Sequence, residues 1–394
     1  PPHRFRPAEK GKASFELEFT DYATRDAARK SLSAAGIKMR SGKTLVPLRL
    51  TGNIKWGVPA PAIGSVEQQE AAGPLSLWVW PESLWAPISF SQARLTHQAG
   101  ELECLNPEVQ PEGVWRDYWC DPQAQVYQFI GQDNIYFYGI AQSALWQALD
   151  ESTAAARGLQ QSQLVANYHL LFLDKKASSS ASVKPPMAAD LLALQDDQGR
   201  PLYSSDALRS HFLALGLEQK PVSFKPKPLD PAAADPKSPA GKAPDPVAKE
   251  GTFLRNVFNR LARSCFYGLQ ELGPDVAIPD GVSDSCKKEV ETVAATYDQA
   301  MHKAELHSAQ SVVTEFVRRA NKQWSAEHQL ADAFYRLKAG VILFAPFTPH
   351  GCQKIFEQLA SPLGYQEFFC WENLFRDNLA GLRPAVLPPR SDFF

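Results

Sequence analysis

The sequence predicts an α/β layer with a parallel sheet, followed by an all-α helix bundle. Short apolar runs alternate with helical stretches before residue 225, which is the pattern of parallel strands covered by helices. After residue 250, apolar residues recur at helical spacing through several long segments, as on the buried face of an amphipathic helix. Residues 225–250 are rich in proline and alanine and carry no aromatic residue. We therefore expect an extended linker there.

The strands of the first part are predicted from apolar runs bounded by turn residues. These runs are LSLWVW (75–80), VYQFI (126–130), NIYFYGIA (134–141) and YHLLFL (168–173), and helical stretches cover 143–150 and 152–160. Residues 1–50 contain SFELEF, a helical stretch at 24–34 and TLVPLRL, which together indicate a small α+β piece. The predicted domains are thus 1–50, 51–224 and 251–394, with the linker 225–250.

The second part is predicted to be a bundle of about five helices. In the segment 284–305, for example, Val290, Val293 and Tyr297 recur on one helical face. The predicted helices cover 252–271, 284–305, 308–324, 329–345 and 349–360.

Composition excludes several classes of protein. Lysine and arginine total 41 against 43 acidic residues, a formal charge of −2, which is unlike a strongly basic DNA-binding protein. No run of 18 apolar residues is present and the first residues form no signal peptide. The six cysteines form no CxxC pair, so we expect no zinc and interpret them as buried thiols. A cytoplasmic location is expected.

General catalytic motifs such as GxGxxG, a Walker loop, GxSxG or HExxH are absent from the sequence. Six segments nevertheless resemble, in order, those of the methionyl-tRNA synthetases, which are class I aminoacyl-tRNA synthetases. The segments are NIKWGVPAP (53–61), LWVWPESLWAPISF (77–90), YQFIGQDNIYFY (127–138), HLLFLDKKASSS (169–180), SDALRSHFL (205–213) and VFNRLARS (257–264).

This resemblance implies a fold and a set of ligands. It implies the C-terminal half of a Rossmann-like catalytic domain, preceded by a remnant of the inserted connective region at 1–50 and followed by an anticodon-binding bundle. ATP is the implied nucleotide and tRNA the implied partner, with a protein partner also left open and no membrane or DNA expected.

Departures from the family pattern concern the catalytic groups. No HIGH-like motif precedes the first matching segment, and the family's KMSKS loop corresponds to Lys176–Ser180, with Ser179 in place of the second lysine. A serine hydroxyl cannot neutralise developing phosphate charge as an ammonium does. The resemblance leaves Lys176 and Asp133 as remnants of the catalytic site, although a surface lysine and a helix-capping aspartate are equally ordinary structural roles.

The amino-acid pocket is altered as well. Trp80, Trp85 and Tyr138 correspond to the region of the family's methionine pocket, and Tyr138 replaces the family's histidine. These aromatic side chains either line a remodelled pocket or fill the core.

In the bundle, the resemblance assigns recognition of the CAU anticodon to Asn259 and Arg263, with Trp324 as the stacking residue. Asn259 and Arg263 are four residues apart, so they share one helix face and should point together into solvent. An amide and a guanidinium there could contact unstacked loop bases. Neighbouring cations predict a basic face, namely Arg255, Arg260, Arg318, Arg319 and Lys322.

Four functions remain open on this sequence. The favoured one is a tRNA-binding or regulatory paralogue with impaired or no aminoacylation. The others are an active methionine–tRNA ligase whose N-terminal half lies outside this chain, an enzyme that activates another amino acid or uses aminoacyl-tRNA, and an interaction module without an RNA role.

Overall fold

The computed structural model describes residues 2–7, 15–37, 51–52, 56–61, 65, 74–98, 114–152, 158–176, 184–273 and 275–394. The chain divides into two compact units, residues 1–90 and 91–394. The sequence predicts a boundary at 225–250, but the structure joins the parts on both sides of that segment in one unit.

The described residues of the first unit form two short antiparallel strand pairs, one complete helix and the start of a second. β1 (Arg4–Arg6) pairs with β2 (Glu16–Glu18), and β3 (Thr51–Gly52) pairs with β4 (Ser76–Leu77). Helix α1 (Tyr22–Ala34) confirms the predicted helix and begins where the Asp21 side chain accepts a hydrogen bond from the Thr24 amide. Helix α2 (Val79–Gln98) follows β4.

The strand predicted over 75–80 is therefore mostly wrong, since only Ser76–Leu77 is strand and the chain turns helical at Val79. Pro81 falls in the first turn of α2, where a missing N–H costs no hydrogen bond. Glu82, also in this turn, is favoured by the helix dipole.

The α/β part of the second unit contains parallel strands, as predicted, but the predicted strands do not pair with one another in a single sheet; the parallel pairs lie in two separate sheets. Its strands are β5 (Tyr127–Gly131), β6 (Gln163–Asn167), β7 (Leu170–Phe172), β8 (Lys175–Lys176) and β9 (Val222–Phe224). β5 runs parallel to β6 in register from Tyr127–Gln163 to Gly131–Asn167. β7 runs parallel to β9 and antiparallel to β8.

The helices of this part are α3 (Val114–Trp119), α4 (Gln142–Ser152), α5 (Ala188–Leu192) and α6 (Ser205–Leu213). The strand predicted over 134–141 is wrong, because a 3-10 turn at Gln132–Asn134 leads through π-helical Tyr136–Ala141 into α4. Gly139 lets this helix lie close to β6, since a Cβ there would be 3.2 Å from Leu164 Cδ1. A short apolar run fits a packed helix as well as a strand.

The segment 225–250 is folded rather than extended. It contains 3-10 turns at Lys227–Leu229 and Pro231–Ala233, helix α7 (Pro239–Lys242) and the start of α8 (Pro246–Phe253). A proline directly follows each of the capping side chains, which are Asp230, Ser238 and Asp245. The predicted extended linker is thus wrong, because a capping residue followed by proline starts a helix.

The bundle confirms the helices predicted from periodicity. A π-helical turn, Leu254–Phe258, joins α8 to α9 (Asn259–Glu271). The chain continues through α10 (Asp284–His302), α11 (Leu306–Glu327), α12 (Leu330–Phe344), α13 (Pro349–Leu359) and α14 (Tyr365–Phe368). Every residue from Asp332 to Phe344 is buried, so α12 is the central helix.

One hydrophobic core links the α/β part to the bundle. Phe172, Leu208 and Phe224 belong to the same buried cluster as Phe258 and Phe344. Among the described residues, no helix is long and apolar enough to cross a membrane. The described cysteines are free thiols; Cys265, Cys286 and Cys352 are buried, while Cys120 and Cys370 are partly exposed.

Candidate functional site

The two predicted catalytic remnants lie next to each other. Asp133 sits in the 3-10 turn that follows β5, and Lys176 ends the short strand β8. Lys176 Nζ is 4.0 Å from Asp133 Oδ2, and both side chains are more than half exposed, at 65% and 58%. Exposed ion pairs contribute little to stability. The pair instead places two opposite charges at the carboxyl end of a parallel strand, where open α/β sheets bind ligands.

Glycine at position 131 allows the approach of the Asp133 carboxylate to the end of β5. A Cβ on Gly131 would lie 2.7 Å from Asp133 Oδ1, so a larger residue would displace the carboxylate. The local sequence thus determines where this charge stands.

The turn that carries Lys175 and Lys176 is held by residues that the sequence analysis missed. Leu173 and Asp174 both have positive φ, 49° and 66°, and make the tight turn between β7 and β8. Lys225 Nζ lies 2.5 Å from the Asp174 carboxylate, and the Asp174 amide donates to Ser223 Oγ at 2.8 Å. Hydrogen bonds from Lys225 and then Ser223 hold the pKa of Asp174 below its usual value.

In the local sequence, this anchor is indicated only by the residue type of Asp174, because aspartate tolerates the left-handed backbone that the turn requires. Its partners lie about fifty residues further along the chain, where spacing alone gives no indication. The rest of the KMSKS-like segment, including Ser179, lies outside the described residues.

The three aromatic pocket candidates are distributed over the two units. Trp80 and Trp85 lie on α2 in the first unit, each partly buried. Tyr138 lies in the π-helical turn of the second unit and is also partly buried. Their assignment to a common pocket stays a prediction.

Asn259 does not face solvent as the sequence analysis expected. Its side chain is 3% exposed, and its Oδ1 accepts a hydrogen bond from the Phe393 amide at 3.0 Å. The four-residue spacing predicts correctly that a helix carries the pair but cannot indicate what covers its face. The cover is the segment 376–394, which we term the C-terminal tail.

Arg263 remains partly exposed. Its guanidinium lies over the Tyr267 ring, 5.6 Å from the centroid, an arrangement that cation–π attraction stabilises. Tyr267 Oη in turn donates to the Pro388 carbonyl of the C-terminal tail at 2.9 Å.

Trp324 packs between two bundle helices. It lies on α11 against Gly268 of α9, where a Cβ would be 2.7 Å from Trp324 Cη2. The His328 ring meets it edge-on at 5.2 Å. The indole is therefore engaged in helix packing in this conformation.

The predicted cations lie mostly on the surface. Arg255, Arg260 and Lys322 are exposed. Arg319 is 3.5 Å from the Glu289 carboxylate, and Arg318 stacks over Phe253 at 5.2 Å while lying 3.9 Å from Glu315. Among the described residues, Arg255, Arg260 and Lys322 form no ion pair, so positive charge is least neutralised at these three positions.

His350 is a surface residue at the start of α13. Its Nδ1 lies 2.9 Å from Ser205 Oγ, and the side chain is 69% exposed. This placement agrees with a peripheral structural role.

An α/β part with parallel strands and charged groups at a strand end, sharing its core with a helix bundle, has the architecture of a class I aminoacyl-tRNA synthetase. The family model for class I tRNA synthetases (M) matches residues 13–227, more than half of the chain. The chain therefore belongs to the class I (M) tRNA synthetase family.

Individual relatives agree with this assignment. The methionine–tRNA ligase of Thermobifida fusca is 26% identical over 340 residues, which covers 80% of this chain and 49% of that protein. The ligase of Chloroflexus aurantiacus is 24% identical over 359 residues, covering 85% and 53%. The chain thus spans about half the length of the curated relatives it matches.

Solved structures show the same fold. The crystal structure of Mycobacterium tuberculosis methionyl-tRNA synthetase bound by methionyl-adenylate superposes with a TM-score of 0.58 at 17% identity. The superposition covers 95% of this chain and 64% of that one.

Proposed function

We propose that this chain is a methionyl-tRNA synthetase-like protein that binds tRNA through its helix bundle and does not aminoacylate it by itself. The observation that carries the proposal is the position of Arg263, partly exposed on α9 and stacked on Tyr267. The resemblance assigns this arginine the role of anticodon contact. Exposed Arg260 and Lys322 on neighbouring helices supply positive charge for phosphate contacts.

Direct binding of a tRNA transcript at several salt concentrations tests this proposal. Each phosphate-contacting cation adds about one unit to the slope of log affinity against log salt. Lys322→Ala should reduce that slope by about one unit, whereas Arg319→Ala, whose charge is already paired with Glu289, should reduce it less. Absence of binding at low salt would favour the interaction-module function instead.

The adjacency of Asp133 and Lys176 favours a second candidate function. The resemblance assigns both residues to groups that handle the adenylate in the family, and the two charges lie 4.0 Å apart. A methionine–tRNA ligase completed by the other half of its nucleotide-binding fold would retain this pair. Lys176→Ala in such a completed protein should then lower methionine-dependent pyrophosphate exchange by 10-fold or more, about 1.4 kcal/mol or more in barrier, while Lys175→Ala should not.

A further inference from the structure

Three residues form one continuous face of α9. Asn259, Arg263 and Tyr267 are spaced four residues apart along this helix, so their side chains lie one above another. Two of them belong to the recognition pair discussed above, and Tyr267 supports the guanidinium of the second.

The C-terminal tail crosses this face from one end to the other. It is fixed first beyond the end of α9, where the Ile278 amide donates to Leu382 O at 2.8 Å and the Gly381 amide to Ile278 O at 2.9 Å. Further along the tail, Tyr267 Oη donates a hydrogen bond to the Pro388 carbonyl, and Asn259 Oδ1 accepts one from the Phe393 amide. The tail thus runs antiparallel to α9 and covers both ends of the face.

Aromatic packing completes the cover at the Asn259 end. Phe393 is 5% exposed and its ring lies 6.0 Å from Phe266. The Phe394 ring lies 4.9 Å from Phe258 and against Gly351, where a Cβ would overlap the ring.

We propose that residues 385–394 of the tail and the unstacked bases of an RNA loop compete for the Asn259–Arg263–Tyr267 face, so that RNA recognition requires release of the tail. This inference rests on the tRNA binding proposed above. The Asn259 Oδ1 accepts the Phe393 N–H in the closed conformation, and a base that used the same oxygen would have to displace that donor. The tail is therefore an internal competitor. The apparent affinity for RNA equals the affinity of the open state multiplied by the fraction of molecules in that state.

Two substitutions loosen the tail without altering the recognition pair. Tyr267→Phe removes the hydrogen bond to Pro388 but keeps an aromatic ring beneath Arg263. Gln358→Ala removes a hydrogen bond of 2.5 Å to Ala385 O. A single hydrogen bond has a net effect of about 0.5–1.5 kcal/mol, so losing one should raise the apparent RNA affinity of the chain roughly 2–10-fold by increasing the open fraction.

The experiment measures binding of an anticodon stem-loop RNA with a CAU loop to the full chain and to each variant. Tyr267→Phe and Gln358→Ala should each bind it about 2–10-fold more tightly. Tyr365→Phe, a matched change at an exposed tyrosine elsewhere on the bundle, should leave affinity unchanged. Adding Arg263→Ala to Tyr267→Phe should abolish the gain.

Hydrogen exchange at the Phe393 amide provides a readout that does not depend on affinity. Tyr267→Phe should speed this exchange in free protein, and saturating RNA should speed it in the unaltered chain. If RNA binds the unaltered chain while Phe393 stays protected and the loosened variants gain nothing, the competition is refuted and tRNA binding stands. If the variants exchange faster but no form binds RNA, the proposed function and this inference both fail.

Discussion

His211 is a histidine that folding places in an apolar environment. It is buried on α6 beside the rings of Phe212 and Phe224. Burial lowers its pKa, while Asp245 opposes the shift and Lys249 adds to it. The neutral ring is therefore the form that the folded protein holds.

Stability should consequently fall in mild acid. Because the folded pKa is below the unfolded one, the unfolded chain binds a proton first as pH decreases. The His211 contribution is complete above the unfolded pKa of about 6.5 and is lost as pH falls through the lower folded value. Urea unfolding at pH 7.5 and 5.5 should show a smaller difference in His211→Gln than in the unaltered chain. The same change at exposed His302 should leave the difference unaltered.

At the scale of elements, α13 depends on a cap from another helix. Asp206 of α6 is 3% exposed and accepts hydrogen bonds from the amides of His350 at 3.2 Å and Gly351 at 2.7 Å. The N-cap residue of α13, Thr348, makes no side-chain capping bond. These two hydrogen bonds therefore connect α6 of the α/β part with α13 of the bundle.

Removing this cap should destabilise the whole second unit. Asp206→Ala should lower the free energy of unfolding by about 1–2 kcal/mol, the usual effect of losing a helix cap. Asp190→Ala, which removes an exposed capping carboxylate from the short helix α5, should cost less. Equal effects in denaturant unfolding would argue against a special role for Asp206.

A buried ammonium fixes the first residues of the C-terminal tail and the turn before it. Lys338 is completely buried on α12; its Nζ donates to Asn373 O at 2.8 Å, to Asn378 Oδ1 at 3.1 Å and to the Arg376 carbonyl. Burial lowers its pKa to about 8, so the charge is retained at neutral pH. Lys338→Met should destabilise the fold by about 3 kcal/mol because these acceptors lose their donor. Thermal unfolding of this variant, compared with that of exposed Lys354→Met, measures the difference.

At the scale of the whole molecule, we predict that these 394 residues alone do not activate methionine. They contain no HIGH-like motif, and the resemblance aligns Ser179 with the second lysine of the family loop. The purified chain should not exchange pyrophosphate into ATP in the presence of methionine, and Ser179→Lys alone should not restore exchange. Methionine-dependent exchange by the unaltered chain would contradict this prediction.

Periodicity predicted the bundle well because each helix has one continuous apolar face, as in Val290, Val293 and Tyr297. It failed at NIYFYGIA, where apolar residues occur on all sides of the segment and the period is ambiguous. It also failed at 225–250, because capping side chains followed by prolines determine the local structure more than composition does.

The candidate site was predictable only in part. The resemblance proposed Asp133, Lys176 and Arg263 as site residues, but the partners of these side chains depend on tertiary contacts. The Lys225–Asp174 anchor and the Phe393 amide on Asn259 join residues about 50 and 134 positions apart. No local pattern encodes such contacts.

The Phe394 ring packs directly against Gly351, so that any Cβ at position 351 would overlap the ring. Substitutions at these two positions should therefore be coupled. Alanine or serine at 351 should be tolerated only where the ring at 394 moves or a smaller residue replaces it. Homologous sequences should record this as paired replacements, and in lineages without the tail, position 351 should drift freely.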